Sequence, residues 1–103
     1  TFVEAARVLA SRIMKQESDS FSDRLGWLTQ QTMMRQARKD EGQLLESLYT
    51  AELKTYRENP AEAKRLTSVG IAPIPKGVDR AELAAWTSVA RAMLNLHESI
   101  TRY

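Results

Sequence analysis

The residue types that most often carry enzyme chemistry are sparse in this chain. His97 is the only histidine, and the chain has no cysteine. A catalytic histidine needs a nucleophile or a carboxylate beside it, whereas Glu98 would point about 100° away on a helix. Without cysteine there is no disulfide, no thiolate zinc site and no C-x-x-C-H haem attachment. The sequence therefore predicts no catalytic, cofactor-binding or metal-ligating residue, and it favours a protein that is not an enzyme.

Phosphate-binding and nucleophile motifs are missing as well. The four glycines, at positions 26, 42, 70 and 77, are scattered and form no phosphate loop. Ser47 and Ser88 stand in no nucleophile-elbow sequence. We interpret His97 as a residue at the edge of a helical core, because the last turns of a helix favour a protonated imidazole.

The charge of the chain raises the question of nucleic acid. The formal net charge is +2 and the sequence pI is about 9.2. The densest basic patch is Arg35, Arg38 and Lys39, and further basic residues line the first helix at positions 7, 12 and 15. Asp40 and Glu41 interrupt this patch, whereas a dedicated binder normally shows a cleaner basic stripe. A solvated surface of mixed charge is the favoured interpretation, and a basic helical nucleic-acid-binding module is the alternative.

The strongest structural signal is a predicted helix from Asp79 to Arg102. Asp79 is a suitable N-cap, and Glu82, three residues on, completes the pattern of a capping box. Residues that can pack in a core then recur at spacings of three and four, as one stripe: Leu83, Trp86, Val89, Ala90, Met93, Leu96, His97 and Ile100. This pattern predicts a helix that packs against a core.

Two amphipathic helices are predicted at the start of the chain. The first ends near Lys15, and its inner stripe consists of Phe2, Ala5, Ala6, Leu9 and Ile13. The second follows a cap at Ser20 or Ser22 and fades between residues 35 and 38. On or near its buried side lie Leu25, Trp27, Leu28, Gln31, Thr32 and Met34.

Two more helices complete the predicted fold. Asp40 is the best cap candidate for a third helix that runs to about Glu58. Asn59 and Pro60 supply a cap and a first helical residue for a short fourth helix, which Gly70 ends. The loop 71–78, IAPIPKGV, contains two prolines and cannot be helical. The sequence predicts a single all-α domain, 1–103, built as a small bundle of four to five antiparallel helices with this apolar Gly/Pro loop before the last.

Residues in the middle of each apolar stripe are predicted to form the core. The residues expected to be mostly buried are Leu9, Ile13, Leu28, Leu48, Trp86, Val89, Met93 and Leu96. Hydrophobic residues make up 43% of the chain and charged residues 27%, which is ordinary for a globular domain. No run of about eighteen apolar residues occurs, so we expect no transmembrane helix and no membrane partner.

Three segments carry a resemblance to a known family. They are AELAAWTSVARAMLNLHESITR at 81–102, TFVEAARVLASRI at 1–13 and ELKTYRENPAEAKRLTSVGIAPIP at 52–75. They resemble the C-terminal all-helical domain of unknown function in the planctomycetal cytochrome c-containing protein family. The chain departs from the family pattern at RQARKDE, 35–41, where a Pro-containing turn is usual. It also departs at His97, where an acidic residue is common, and at Ser99, where an aromatic residue is common.

This resemblance implies a C-terminal part of a larger, exported or periplasmic protein whose c-type haem lies in another module. A chain that starts at Thr1 inside a helical pattern also fits a fragment of a larger protein. The expected function is a non-catalytic structural or interaction module, with the rest of the parent chain as its partner. An exposed apolar patch would also allow a weak homodimer. The expected docking surface comprises Val3, Val8, Ile71, Ile74 and Val78.

Overall fold

Five α-helices make up most of the chain that the computed structural model describes, which is residues 2–18, 20–33, 38–68 and 76–101. They are α1 (Phe2–Met14), α2 (Phe21–Met33), α3 (Lys39–Glu58), α4 (Pro60–Thr67) and α5 (Arg80–Thr101), and no strand occurs within these ranges. The radius of gyration, 12.9 Å, matches the value of about 13 Å for a compact domain of 100 residues. The predicted small all-α bundle is confirmed.

Helix α5 is the centre of the bundle and contacts each of the other four helices. Its buried residues are Ala81, Leu83, Ala84, Ala85, Trp86, Thr87, Val89, Ala90 and Met93. Because they occupy more than one stripe, α5 is covered on several sides rather than on a single face. Its most extensive interface is with α1, and those with α3 and α4 follow.

The predicted core residues lie where the stripes placed them. Five of the eight have at most 1% of their surface exposed: Ile13, Leu28, Trp86, Val89 and Met93. Leu9 and Leu48 are partly buried and pack against the core from its edge. The side chain of Leu96 lies outside the described residues. The stripes therefore identify the centre of the core correctly.

The stripe of α1 is rotated from its predicted position. Ala6, Ala10 and Ile13 are fully buried, whereas Ala5 is exposed. Arg7, which the sequence pattern placed among the surface cations, is only 1% exposed. The prediction for Ala5 is wrong because alanine adds little to the hydrophobic signal that sets the phase of a helix.

Helix α2 begins where a serine cap was predicted, but no hydroxyl caps it in the described part of the chain. The Ser20 carbonyl accepts the N–H of Arg24 at 3.0 Å. The Ser18 hydroxyl accepts the N–H of Ser20 at 3.2 Å and so holds the turn that enters the helix. Near the other end, Gln31 is exposed, contrary to the prediction, because its amide is better solvated than buried.

Helix α3 begins two residues earlier than predicted. Arg38 occupies the N-cap position in an extended conformation, with φ −70° and ψ 160°. Glu41 Oε1 accepts the N–H of Arg38 at 2.9 Å. The prediction of Asp40 as the cap is therefore wrong. Asp40 lies instead in the first turn, where the helix dipole favours a carboxylate.

Helix α4 begins with Pro60, as predicted, and ends at Thr67 rather than at Gly70. The Ser68 hydroxyl bonds back to the Lys64 carbonyl at 2.7 Å and satisfies one of the last acceptors of the helix. Gly70 and residues 71–75 lie outside the described residues. Residues 76–79 are not helical, as expected, and Gly77 adopts a positive φ of 76°.

The core also contains four buried threonines, of which the sequence pattern placed only Thr32 near a buried side. Each hydroxyl donates to the carbonyl four residues earlier: Thr29 to Leu25 at 3.0 Å, Thr32 to Leu28 at 2.8 Å, Thr67 to Ala63 at 2.8 Å and Thr87 to Leu83 at 2.7 Å. Because each hydroxyl donates within its own helix, its proton needs no acceptor on a neighbouring helix.

Candidate functional site

Polar contacts at the start of α5 connect this helix to α3. Asp79 Oδ1 accepts the N–H groups of Ala81 at 2.9 Å and of Glu82 at 3.4 Å, so the predicted N-cap is confirmed. Asp79 Oδ2 accepts a hydrogen bond from Nη2 of Arg57, in the last turn of α3, at 3.2 Å. Both side chains of this ion pair are about half exposed, so the pair contributes at most about 1 kcal/mol.

A second contact connects the start of α5 to α4. Arg80 Nη1 donates to the hydroxyl of the buried Thr67 at 2.7 Å. A cleft of about 260 Å³ lies between the three helices and is lined by Tyr56, Arg57, Pro60, Ala63, Asp79, Arg80 and Ala81. Its charged side chains are engaged with one another or with Thr67. We therefore interpret this corner as a structural joint between helices.

Three aromatic rings from three helices pack together, and we call them the aromatic trio: Phe21, Tyr49 and Trp86. Phe21 stacks on Trp86 with ring centroids 5.1 Å apart, and Tyr49 lies 4.8 Å from Trp86 in a tilted arrangement. Phe21 and Tyr49 are 5.3 Å apart. Offset and tilted rings at these separations attract each other beyond the area that they bury. The trio therefore joins α2, α3 and α5.

The aromatic trio has two polar atoms in a largely apolar setting. Burial, with a smaller contribution from Glu82, raises the pKa of Tyr49 above its usual range, although Arg24 and Arg57 oppose this shift. The Trp86 indole nitrogen is buried and has no hydrogen-bond partner among the described residues. The trio is thus a packing unit, and its tyrosine keeps its proton further into the alkaline range.

The structure describes three of the five residues of the predicted docking surface. Val3 and Val8, both in α1, are half-buried and lie outside the core cluster. Val78 is half-buried and packs against the core from the turn before α5. Ile71 and Ile74 lie outside the described residues. Val3, Val8 and Val78 therefore all keep part of their surface in contact with solvent, and the first two lie on α1 outside the core cluster.

The predicted basic patch is mixed in charge wherever the structure describes it. Arg38 and Lys39 are exposed at the start of α3, and Arg35 lies outside the described residues. Arg38 Nη2 lies 3.4 Å from Glu41 Oε2, and the exposed Asp40 follows directly in the sequence. The two cations thus stand beside two carboxylates, which weakens the attraction of this surface for a polyanion.

Sequence reasoning missed two buried arginines. Arg7 is 1% exposed, and its carbonyl accepts the Ser11 hydroxyl at 3.1 Å. Arg24 is 9% exposed and donates through Nε to the Ser18 carbonyl at 3.2 Å. Each arginine precedes a buried residue by three or four positions, and this spacing was the available signal. Charge alone predicts a surface position for the basic residues of α1, and this prediction is wrong for Arg7.

Other chemistry is limited within the ranges that the structure describes. No group of three or more His, Asp or Glu side chains there is arranged to hold a metal ion. The side chain of His97 lies outside these ranges. No helix in the described part of the chain is long and apolar enough to cross a membrane.

Comparison with known proteins identifies no relative. No family model matches the chain, and no curated protein sequence and no solved structure is similar to it at a significant level.

Proposed function

We propose that this chain is a non-catalytic helical module that docks on another protein surface, with the rest of a parent polypeptide as its partner. The observation that carries this proposal is the packing of α1. One side of α1 lies on α5, while Val3 and Val8 keep part of their surface in solvent and stand outside the core cluster. Apolar side chains left at the surface of a helix favour association with a further surface.

An exposed apolar side chain on another helix adds to this support. Leu44 in α3 is 69% exposed and was not among the predicted docking residues. Burying a leucine side chain contributes about 1.5–3 kcal/mol, so a partner that covers Leu44 gains affinity from it. The proposed module thus offers apolar contacts on two helices.

The resemblance of residues 1–13, 52–75 and 81–102 supports a place for this module at the C-terminus of a larger, exported, cytochrome c-associated protein. In that setting the c-type haem belongs to another module of the parent. The coding sequence upstream of Thr1 tests this part of the proposal. We expect a signal peptide followed by a C-x-x-C-H motif, and an upstream region that has neither would contradict it.

Self-association of the isolated chain tests the docking surface directly. Sedimentation velocity over a wide range of concentrations should show a weak homodimer. The double variant Val3→Ser/Val8→Ser should sediment as a monomer at the same concentrations. Ala5→Ser is the matched control, because Ala5 is exposed on the same helix. A wild-type chain that stays monomeric at high concentration would contradict the proposed surface.

Gel mobility distinguishes the proposed docking module from the alternative, a nucleic-acid-binding module. With random DNA and RNA we expect weak retardation at low salt and none at physiological salt, because the basic patch is diluted by carboxylates. Retardation that persists at physiological salt and is lost in Arg38→Gln/Lys39→Gln would favour the alternative. Lys54→Gln, an exposed lysine elsewhere on α3, is the control.

A further inference from the structure

Helix α3 has a largely uncovered stripe along one side, which we call the α3 seam: Leu44, Leu48, Ala51 and Thr55. Their spacing of four, three and four residues places these side chains on one side of the helix, over about 17 Å. Leu48 is half-buried at the edge of the core, and the other three are exposed. The seam therefore runs beside the core and is open to solvent along most of its length.

Leu44 is the residue of the seam that the packing of this chain does not require. It is 69% exposed and is the one exposed large apolar side chain within the ranges that the structure describes. Thr55 adds a side chain whose proton needs no external acceptor, because its hydroxyl donates to the Ala51 carbonyl at 3.1 Å. The seam thus offers an apolar contact surface to another molecule.

Carboxylates lie beside the seam at its start, middle and end. Asp40, Glu52 and Glu58 each stand three or four residues, one helical turn, from a residue of the seam. None of the three forms an ion pair within the described part of the chain. Glu41, the fourth carboxylate in such a position, pairs with Arg38. Three carboxylates beside the seam therefore lack a counter-charge on the chain itself.

The stability of α3 does not account for all of these carboxylates. The helix dipole favours Asp40 in the first turn, but it disfavours Glu58, the last residue of the helix, and Glu52 lies in between. Lys54 is the only cation of α3 that lies one turn from a residue of the seam. The sides of the seam thus keep a net negative charge, which complements a positively charged partner.

We propose that the α3 seam binds an amphipathic helix of a partner protein, whose apolar stripe is flanked by lysine or arginine. The apolar stripe of the partner covers Leu44 and Leu48, and its cations pair with Asp40, Glu52 and Glu58, in the manner of a helix laid along a complementary surface. This inference rests on the proposed docking function and names the chemistry of the partner.

Titration of the isotope-labelled chain with a synthetic helical peptide, followed by NMR, tests this proposal. The peptide has about 20 residues, with leucines at spacings of four and three and lysines beside them. We expect saturable shifts of the backbone amides from Leu44 to Thr55, with a dissociation constant on the order of 100 μM. A control peptide with glutamate in place of lysine should bind at least about tenfold more weakly. Equal affinities, no binding, or shifts centred on another helix would overturn the proposal.

Removal of the exposed leucine tests the apolar part of the surface. Leu44→Ser should weaken binding of the lysine peptide about tenfold, because the burial of a leucine side chain is lost. The variant should fold, since Leu44 contributes little to the core. Thr50→Ser, at an exposed position of α3 outside the seam, is the control and should bind as the wild type does. Unchanged binding by Leu44→Ser would overturn the proposal.

Neutralisation of carboxylates tests the charge of the surface. Glu52→Gln/Glu58→Gln should weaken binding of the lysine peptide about three- to tenfold, because two exposed ion pairs are lost. Glu17→Gln/Glu46→Gln is the matched control, because it changes the net charge equally at exposed positions that do not border the seam. Equal responses of the two double variants would show a general attraction between the peptide and the chain, and would overturn the site.

Failure of this inference is distinguishable from failure of the docking surface on α1. If Val3→Ser/Val8→Ser abolishes self-association while the lysine peptide does not bind, only the partner proposed for α3 is wrong. If the lysine peptide binds the seam while the wild-type chain stays monomeric, the α1 surface is wrong and this inference stands. Loss of self-association in Leu44→Ser would show that a second copy of the chain occupies the seam, and would overturn the proposed partner.

Discussion

The two sides of α5 that face α1 and α3 are filled by side chains of very different size. Helix α1 contributes two fully buried alanines, Ala6 and Ala10, to the core, together with Ile13 near its end. On the other side Tyr49 of α3, together with Phe21, packs on Trp86. The alanine side relies on close approach of two helices, whereas the aromatic side relies on the area of three rings. The two interfaces should therefore respond to opposite kinds of substitution.

The largest effect is expected from truncation on the aromatic side. Trp86→Ala should lower the free energy of unfolding by about 3–5 kcal/mol, because it removes the ring on which Phe21 and Tyr49 pack and leaves a cavity. Trp27→Ala is the matched control, since Trp27 is only half-buried, and its loss should be clearly smaller. Urea denaturation measures both values. Equal losses of unfolding free energy in the two variants would show that the aromatic trio does not stabilise the fold more than a half-buried tryptophan does.

Enlargement should be damaging on the alanine side. Ala10→Leu should lower the free energy of unfolding by about 1–3 kcal/mol, because the larger side chain forces α1 and α5 apart. Ala5→Leu, at an exposed position of the same helix, should change it by less than about 0.5 kcal/mol. Thermal unfolding compares the two variants. A tolerated Ala10→Leu would mean that the α1 interface has spare volume and that the contrast with the aromatic side is wrong.

Substitution of Gly42 tests whether the interface between α2 and α3 can accommodate a larger side chain. A Cβ atom added at Gly42 would meet Leu25 Cδ2 at 4.0 Å, an ordinary van der Waals contact. Gly42→Ala should therefore raise the free energy of unfolding by about 0.5–1 kcal/mol through helix propensity. Gly77→Ala should lower it by about 1 kcal/mol, because Gly77 has a positive φ of 76°. Chemical denaturation distinguishes the signs, and a destabilised Gly42→Ala would mean that this side is as tightly filled as the α1 side.

The smallest effect concerns the tyrosine of the trio. Because burial raises the pKa of Tyr49, this side chain keeps its proton in the folded protein at pH values at which it has lost the proton in the unfolded chain. The contribution of Tyr49 to the free energy of unfolding is fully present below about pH 10 and falls as the pH rises further. Tyr49→Phe should therefore show a shallower decline of the free energy of unfolding above about pH 10. Parallel declines in the two proteins would contradict the shifted pKa.

Large apolar residues allowed the helices to be predicted from the sequence, whereas small and charged residues gave wrong predictions of which side chains are buried. Leu83, Trp86 and Met93 set the phase of α5 without ambiguity, and each is buried. In α1 two of the three fully buried apolar residues that the structure describes are alanines, whose weak hydrophobic signal allowed the predicted stripe to include the exposed Ala5. A sequence pattern therefore locates a helix more reliably than it fixes the rotation of a helix that packs through alanines.

The burial of Arg24 depends on neighbouring residues that a pattern within one helix cannot show. Arg24 is buried because Met14 and Ser18, from the end of α1 and the following turn, close over it. The charge of its guanidinium pointed to the surface, so its burial was not predicted. The N-cap at Asp79 was predictable, because its carboxylate accepts N–H groups of residues only two and three positions later in the sequence.

The dominance of the interface between α1 and α5 also has a consequence for the order of folding. Residues 15–79 separate these two helices, so the most extensive interface of the bundle joins the most distant elements along the described chain. Contacts between distant segments carry a larger entropy of loop closure and slow the folding of helical proteins. On the ribosome, α1 emerges long before the helix that covers its apolar stripe. We therefore expect the bundle to assemble late and cooperatively, when α5 becomes available, rather than by the stepwise addition of consecutive helices.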